Sequence, residues 1–388
     1  MAQVNPGQQS KPRILVIYQY VALYRVPVFT ELARSDQFQF TFMSGVSGRG
    51  ETPKIADRKT LECADFAWVP TENCWFPGGL LWQRGVLRAA VSRDYDGIIF
   101  LGDMHYISTW LAAAIMKMLG RPAAFWTIGM HRPESGAKLA IRNFWHSLPG
   151  RIMVYARYAR DIMVEGGVPA ERVAVIGNSL DFERQTELFH ALHAQPPAVA
   201  DRPLLVAIGR LTPRRKLERL VEAVALLRAS GLETRVWLIG QGPERDNLKR
   251  RAAELGVQDV VEFLGPLYDE ETIAHHLYQA DICVVPGIIG LGAVHAHSYG
   301  VPVITCGDWA LQAPEGEVIA EGVTGAFCRW DDAESVAHEI RSWLKAGHAR
   351  DQVRQACRAR VADGWTPKSQ RRAIEDALTP LFAPRPGA

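Results

Sequence analysis

The sequence predicts an α/β protein of two Rossmann-like, doubly wound domains, on three observations. First, a chain of 388 residues exceeds what one hydrophobic core usually sustains, so two domains of roughly 150 to 200 residues are expected. Second, from Arg13 onward short apolar runs alternate with amphipathic segments: Ile14-Leu15-Val16-Ile17, Phe38 to Phe42, Ile98-Ile99-Phe100-Leu101, Ala123 to Trp126 and Ile152-Met153-Val154. Continuous apolar runs of this length mark parallel strands buried on both faces. Third, the alternation restarts near Leu204 after a looser stretch that holds the only Pro-Pro pair.

Taken in order, residues 1–12 are polar and rich in Gly, Pro and Gln, and read as a disordered tail. Residues 13–185 form the first domain, and 186–202 the linker. Residues 203–366 form the second domain, with strands over Leu204 to Ile208, Val236 to Ile239, Val260 to Leu264 and Ile282 to Val285. Between them run helices over Leu217 to Leu227, Glu244 to Leu255 and Glu271 to Tyr278. In the first of these, Leu217, Leu220, Val221, Val224 and Leu227 recur at helical spacing and make one apolar stripe. Residues 367–388 follow Trp365-Thr366-Pro367, whose proline marks a helix boundary, and are expected to pack back onto the first domain.

Composition excludes several classes. A net charge of +2, with 48% hydrophobic and 22% charged residues, fits an ordinary globular enzyme and implies no nucleic-acid partner. The six cysteines include no CxxC pair and no histidines at zinc-ligand spacing, which argues against a zinc site or a disulfide framework. The first residues lack an apolar signal core, so a cytoplasmic location is expected. The apolar stretch Ile107 to Leu119 is interrupted by Lys117 and falls short of the roughly 20 residues that cross a bilayer. It reads as a buried helix.

Open α/β sheets bind ligands beyond the carboxyl ends of their strands, so the loops there are the place to look. Gly209-Arg210-Leu211-Thr212-Pro213-Arg214-Arg215-Lys216 leaves a strand and enters a helix with four cations in seven residues. Guanidiniums present a planar fork matched to phosphate oxygens; the alternative is a solvated basic loop. Gly240-Gln241-Gly242-Pro243 follows the next strand, either for close backbone approach to a ligand or as a plain strand-to-helix turn. Pro286 to His295 holds Gly287, Gly290, Leu291 and Gly292 before a helix that ends near Tyr299-Gly300. A glycine-led helix start suits a phosphate or sugar hydroxyl. His295, a turn into that helix, reads either as facing the cleft or as a packing residue.

The order Gly209-Arg210-Leu211 with Arg215, Gly240-Gln241-Gly242-Pro243, Ala280-Asp281-Ile282, Gly290-Leu291 leading to Tyr299-Gly300-Val301-Pro302-Val303-Ile304, and Glu321-Gly322-Val323-Thr324-Gly325 resembles the retaining glycosyltransferases of family 4, with the GT-B fold. The resemblance covers about residues 200 to 345. In the first domain it extends only to organisation and to Asn178-Ser179-Leu180-Asp181.

The resemblance implies that Arg210 is the pyrophosphate-binding arginine, with Arg215 where lysine is usual and Lys216 where glycine is common. These three would stabilise the leaving group, while Gly209, Gly242, Pro243, Gly290, Leu291, Gly292 and His295 would hold the nucleotide-sugar. The family's paired-glutamate motif reads Gly287 and His295 here. An imidazole can bind ribose hydroxyls, but Gly287 offers the donor sugar only its backbone. Glu317, with Glu315, can supply a carboxylate to the cleft, or belong to an exposed acidic turn.

In the first domain Tyr24 and Arg25, in Tyr18 to Arg25, stand on the acceptor side in place of the family's glycine-rich loop, with Arg25 facing the cleft. His131, in Trp126 to His131, lies near the slot where the family carries a histidine. His105 is a second candidate, with Asp103 beside it in a base-and-orienter arrangement or a structural one.

The reaction so implied is transfer of a sugar with retention, from a UDP- or GDP-linked donor to a hydroxyl of a glycan or lipid-linked acceptor in polysaccharide or glycoconjugate synthesis. The departing diphosphate would take the acceptor proton. The nucleotide-sugar is a substrate, so no cofactor is expected, and without a DxD-type motif no metal. Two aromatic and cationic segments, Cys74 to Arg84 and Arg142 to Trp145, raise peripheral contact with the inner face of the cytoplasmic membrane, against a core-packing reading. The rival functions are a GT-B enzyme of another reaction, such as a sugar-nucleotide epimerase or a phosphorylase, and a degenerate binding protein.

Overall fold

The structure, a computed structural model, describes residues 11–49, 53–195 and 202–383. Most of the tail expected at 1–12 lies outside the described residues. Its last two residues are held: the Pro12 carbonyl accepts from the Gln39 amide at 2.9 Å, and Lys11 donates to the Ser35 carbonyl at 3.0 Å. The chain forms two compact units, one of Met1–Gly177 with Pro367–Ala388 and the other of Asn178–Thr366.

In the first unit the strands are β1 (Arg13–Tyr20), β2 (Gln39–Gly45), β3 (Ala67–Pro70), β4 (Asn73–Trp75), β5 (Leu81–Gln83), β6 (Gly97–Leu101), β7 (Ala123–Thr127), β8 (Arg151–Val154) and β9 (Val173–Val175). Its helices are α1 (Val26–Ala33), α2 (Arg58–Glu62), α3 (Val86–Val91), α4 (Ile107–Met118), α5 (Gly136–Ser147) and α6 (Arg157–Glu165). Seven strands make one sheet in the order β3-β2-β1-β6-β7-β8-β9, parallel throughout. The short pair β4 and β5 is antiparallel.

Successive side chains of a strand point to opposite faces, and β1 supplies two cores in this way. Ile14, Val16 and Tyr18 join one cluster with Phe29 and Phe42, while Leu15 and Ile17 join another with Phe100 and Phe125. This double burial is why the strand reads as an unbroken apolar run.

The second unit contains α7 (Phe182–Ala194), β10 (Leu204–Ile208), α8 (Leu217–Ala229), β11 (Arg235–Ile239), α9 (Arg245–Glu254), β12 (Val261–Gly265), α10 (Glu270–Gln279) and β13 (Ile282–Val285). It continues with α11 (Gly292–Ser298), β14 (Val303–Cys306), β15 (Gly325–Cys328), α12 (Ala333–Lys345) and α13 (Arg350–Ala362). A last helix, α14 (Pro367–Phe382), belongs to the first unit. The second sheet is parallel, in the order β12-β11-β10-β13-β14-β15. All five apolar positions of the α8 stripe are buried.

Two readings are corrected. The stretch 186–202 is not wholly a linker, because α7 runs to Ala194, and residues 196–201 lie outside the described ones. The Asp181 carboxylate accepts from the Arg184 amide at 3.1 Å, capping α7, and Leu188 and Phe189 are buried in the second unit's core. Second, α4 is buried along one stripe only. Ser108, Thr109, Ala112, Ala113 and Met116 face inward, whereas Leu111, Met118 and the following Leu119 are 46%, 79% and 57% exposed. Among the described residues no helix is long and apolar enough to cross a membrane.

In α14, Ile374, Ala377 and Leu378 join the core that contains Ile14 and Phe38. Phe382 lies 5.6 Å from the Phe38 ring, and Gln370 donates to the Gly177 carbonyl at 2.9 Å.

Candidate functional site

In the second sheet the chain runs outward from β10 in one direction to β11 and β12, and in the other from β13 to β15. The strand order therefore reverses between β10 and β13, the switch point at which open α/β sheets bind ligands. The loops leaving these two strands carry the sequence's strongest candidates.

The first loop begins at Gly209, whose φ of 122° suits glycine and whose amide donates to the Ile239 carbonyl at 2.8 Å. Arg215 folds back over it: Nη1 donates to the Ile208 carbonyl at 2.9 Å, and a Cβ added at Gly209 would lie 2.5 Å from Nη2. Burial lowers the Arg215 pKa from its ordinary value, and the nearby charge of Arg210 acts in the same sense. Two guanidiniums thus share the end of β10, and a bound anion would offset both effects.

Lys216 is placed differently from expectation. Its ammonium pairs with Asp331 at 3.0 Å, which Arg219 also binds at 2.7 Å. Its φ of 53° is left-handed, a conformation that glycine adopts at little cost.

The glycines of the second loop serve packing between loops. A Cβ at Gly240 would fall 1.9 Å from the Gly209 carbonyl oxygen, and one at Gly242 would fall 2.2 Å from that of Leu211. Leu211 donates to the Gln241 carbonyl at 2.9 Å, and Glu244 donates to the Leu211 carbonyl at 3.1 Å. Gly242 therefore braces the arginine loop from behind rather than clearing space for a ligand, and Pro243 is exposed just before α9.

The third loop is stitched to the first. The Gly287 amide donates to the Arg215 carbonyl at 2.9 Å, and that of Ile288 donates to Arg214 at 3.1 Å. A Cβ at Gly287 would meet the Arg214 carbonyl oxygen at 2.2 Å, so this position has no room for a glutamate. Gln312, 2% exposed, locks the arrangement. Its Oε1 accepts from the Ile289 amide at 3.0 Å, while its Nε2 donates to Thr305 Oγ1 at 3.1 Å and to the Cys306 carbonyl at 3.0 Å. Thr305 in turn donates to the Gly287 carbonyl at 2.9 Å. Neither Gln312 nor Thr305 belongs to a pattern that sequence reasoning singles out.

Gly290 turns the loop with φ 62°, and Leu291 and Gly292 lead into α11, a helix of seven residues. The carboxylate beside this turn is Glu315. It is buried, one oxygen accepts from Asn178 Nδ2, and the other lies 4.0 Å from a Cβ built on Gly290. Glu317 is half-buried, with its carbonyl held by Arg360 at 3.0 Å.

His295 is oriented by a residue that the sequence reading missed. Its Nε2 lies 2.9 Å from Glu270 Oε1, and the Tyr299 hydroxyl donates to the same oxygen at 2.7 Å. Burial works against ionisation of Glu270, but His295 and the hydrogen bonds from His295, Tyr299 and Gln185 outweigh it and hold the carboxyl below its ordinary pKa.

His297, next but one, is fully buried between the Val301 carbonyl at 3.0 Å and Thr324 Oγ1 at 3.1 Å. Burial pushes its pKa down to about 4. An unfolded histidine titrates near pH 6.5, so as pH falls the unfolded state takes up this proton first. The stability contributed by neutral His297 is complete above about pH 6.5 and lost progressively down to about pH 4. The expected loss by pH 5 is about 2 kcal/mol. Urea midpoints measured above and below that window check it, and His297→Gln should flatten the dependence.

In the first unit the Asp103 and His105 side chains meet, with Nδ1 2.8 Å from Oδ1, both exposed to solvent. His131 instead bonds through Nδ1 to the Tyr158 hydroxyl at 3.0 Å. Arg25 departs from expectation. It is 5% exposed, donates to the Tyr155 hydroxyl at 2.6 Å, and lies 5.1 to 5.3 Å from the ring centroids of Tyr24, Trp126 and Tyr155. An aromatic cage holds this cation inside the unit, with the half-buried Tyr24 as one wall.

With the switch-point loops in place, one comparison with known proteins falls on the segment that carries them. Residues 189–360 match the family described as Glycosyl transferases group 1. The chain is also similar to curated mannosyltransferases and other glycosyltransferases. The GDP-mannose-dependent alpha-(1-6)-phosphatidylinositol monomannoside mannosyltransferase of Mycolicibacterium smegmatis is 28% identical over 191 residues, 47% of this chain and 49% of that protein. The lipopolysaccharide core biosynthesis glycosyltransferase LpsE of Rhizobium meliloti is 30% identical over 190 residues, 48% of this chain and 52% of that protein. The matches span about half the length of each relative.

Among solved structures, a glycosyltransferase from Rickettsia africae superposes with a TM-score of 0.71 at 15% identity, over 97% of this chain and 100% of its own. Anabaena HepE in complex with UDP and glucose gives 0.67 at 17% identity, over 95% and 99%. At such identities the likeness is one of fold, and it is the GT-B fold of two parallel-sheet α/β units.

Proposed function

We propose that the chain is a retaining glycosyltransferase of family 4 that moves a sugar from a nucleotide-sugar to a hydroxyl of a glycan or lipid-linked acceptor. The observation that carries this reading is the pair Arg210 and Arg215 at the β10–β13 switch point, on a loop braced by the Gly240 and Gly287 segments. Such a site suits a diphosphate leaving group, because preorganised donors aimed at developing charge stabilise a transition state without reorganising.

The bond from the anomeric carbon to the diphosphate breaks while a new bond to the acceptor oxygen forms on the same face. The acceptor proton passes to the departing diphosphate. His295, held by Glu270, serves the ribose hydroxyls, and Glu315 beside Gly290 serves the donor sugar. Asp103 and His105 serve the acceptor. No divalent cation takes part. The relatives that use GDP-mannose and the fold neighbour bound to UDP support a UDP- or GDP-linked donor. Relatives named for phosphatidylinositol mannosides and lipopolysaccharide core support a lipid-linked acceptor.

The test is a thermal-shift panel of UDP-, GDP- and ADP-sugars with the free nucleotides, since a ligand that binds only the folded state raises its stability. One nucleotide class should shift the melt, and transfer should survive a chelator. No shift with any nucleotide sinks the reading. Acceptor-free epimerisation of a UDP-sugar, or phosphorolysis, would replace it.

A further inference from the structure

Of the chain's eleven tryptophans, Trp309 alone is exposed among the described residues, at 37%. A single exposed aromatic is ordinary; the setting of this one is not. It stands on the segment that follows β14, and β14 pairs with β13 through Thr305 and Val285. This segment therefore leaves the sheet beside the loop of Gly287 and Gly290. Its turn is held firmly. The Gly307 amide donates to the Cys328 carbonyl at 3.0 Å, and the Leu311 and Gln312 amides donate to the Asp308 carbonyl at 3.0 Å. The Asp308 carboxylate accepts from the Ala310 amide at 3.0 Å.

The ring is braced as well. Its centroid lies 5.6 Å from that of Phe327 in an edge-on arrangement. A Cβ added at Gly316 would fall 3.2 Å from Trp309 Cζ3 and 2.7 Å from Gln312 Cγ, so glycine at 316 lets the indole lie against the backbone. The residue before it is Glu315, one carboxylate oxygen of which lies 4.0 Å from a Cβ built on Gly290. An aromatic plate and a carboxylate thus stand at adjoining places, two strands along the sheet from the arginines that follow β10.

Chemistry decides what this pair fits. A carboxylate accepts hydrogen bonds and repels phosphate, so the diphosphate belongs with Arg210 and Arg215. An apolar ring beside an acceptor suits a neutral ligand that has one C–H face and a rim of hydroxyls, which describes a pyranose. Small-molecule sites commonly combine aromatic walls with a few placed polar groups in this way. We propose that Trp309 is the platform on which the donor's pyranose ring stacks, while Glu315 accepts from its hydroxyls. This platform presupposes the donor site proposed above and gives the sugar a contact separate from those of the nucleotide.

The experiment compares the affinity of the full chain, from melting shifts, for UDP-glucose, UDP-N-acetylglucosamine, GDP-mannose and ADP-glucose, each beside its free nucleotide. The KM values for donor and acceptor in transfer are measured alongside. Trp309→Leu should weaken nucleotide-sugar binding and raise the donor KM on the order of tenfold, the scale of one aromatic stacking contact. It should leave the affinity for free nucleotide unchanged, which also shows that the variant folds. Trp309→Phe should recover most of the loss, because it restores a ring. A Trp309→Leu protein that keeps its nucleotide-sugar affinity and donor KM would overturn the proposal. So would equal weakening of the free nucleotide, or a rise confined to the acceptor KM. Wild-type protein whose melt no nucleotide shifts would remove the donor site itself and the platform with it, which keeps the two failures apart.

Discussion

Arg210→Ala is expected to lower kcat/KM for sugar transfer on the order of 10²- to 10³-fold and to abolish the melting shift given by the free nucleotide. The magnitude is what removal of one preorganised donor facing developing charge typically costs. The two arginines should separate in a second measurement. Arg215 is half-buried, with its guanidinium lying over Gly209 and donating to the Ile208 carbonyl, so Arg215→Ala should also lower folding stability by about 1 to 3 kcal/mol. Arg215→Lys should restore charge without the planar fork, and recover nucleotide binding better than turnover. If Arg210→Ala kept both the shift and near wild-type turnover, the switch-point loop would not be the donor site.

Gly240→Ala should be among the most damaging single substitutions in the second unit, costing about 4 kcal/mol or more. The added methyl would sit 1.9 Å from the Gly209 carbonyl oxygen, at a φ of 144°. Backbone cannot swing aside as a side chain can. Relief requires the loops after β10 and β11 to part, with loss of the Leu211-to-Gln241 hydrogen bond. Gly231→Ala is the comparison, because Gly231 has a φ of 83° and open space around it. That change should cost only the roughly 1 to 2 kcal/mol of a left-handed residue. Urea midpoints of the two variants measure the difference, and equal midpoints would mean that the loops are not in backbone contact.

These cases show where the sequence was legible. Strands buried on both faces, such as β1, and the apolar stripe of α8 follow from periodicity. The arginine loop followed from its place at a strand end. The purpose of the glycines did not, because Gly240 and Gly287 answer to carbonyls of a different loop, and nothing in a linear string says which loops touch. For the same reason Glu270 went unnoticed, standing 25 residues from His295 with no spacing that pairs them. Gln312 and Thr305 likewise act on a loop before β14. The linker was misjudged because Pro196-Pro197 drew attention from Leu188, Phe189 and Leu192, which pack on the second unit's core.

The return of α14 to the first unit bears on the order in which the protein can be made. A nascent chain emerges amino end first, and domains usually fold as they emerge. Here the core around Ile14 and Phe38 stays open until Ile374, Ala377 and Leu378 have left the ribosome, by which time every residue of Asn178–Thr366 has been synthesised. The unit begun first is therefore finished last. During that interval its unsheltered apolar surface is what a chaperone would engage, and a ribosome that stalls before Pro367 would release a chain whose second half can mature while its first half cannot.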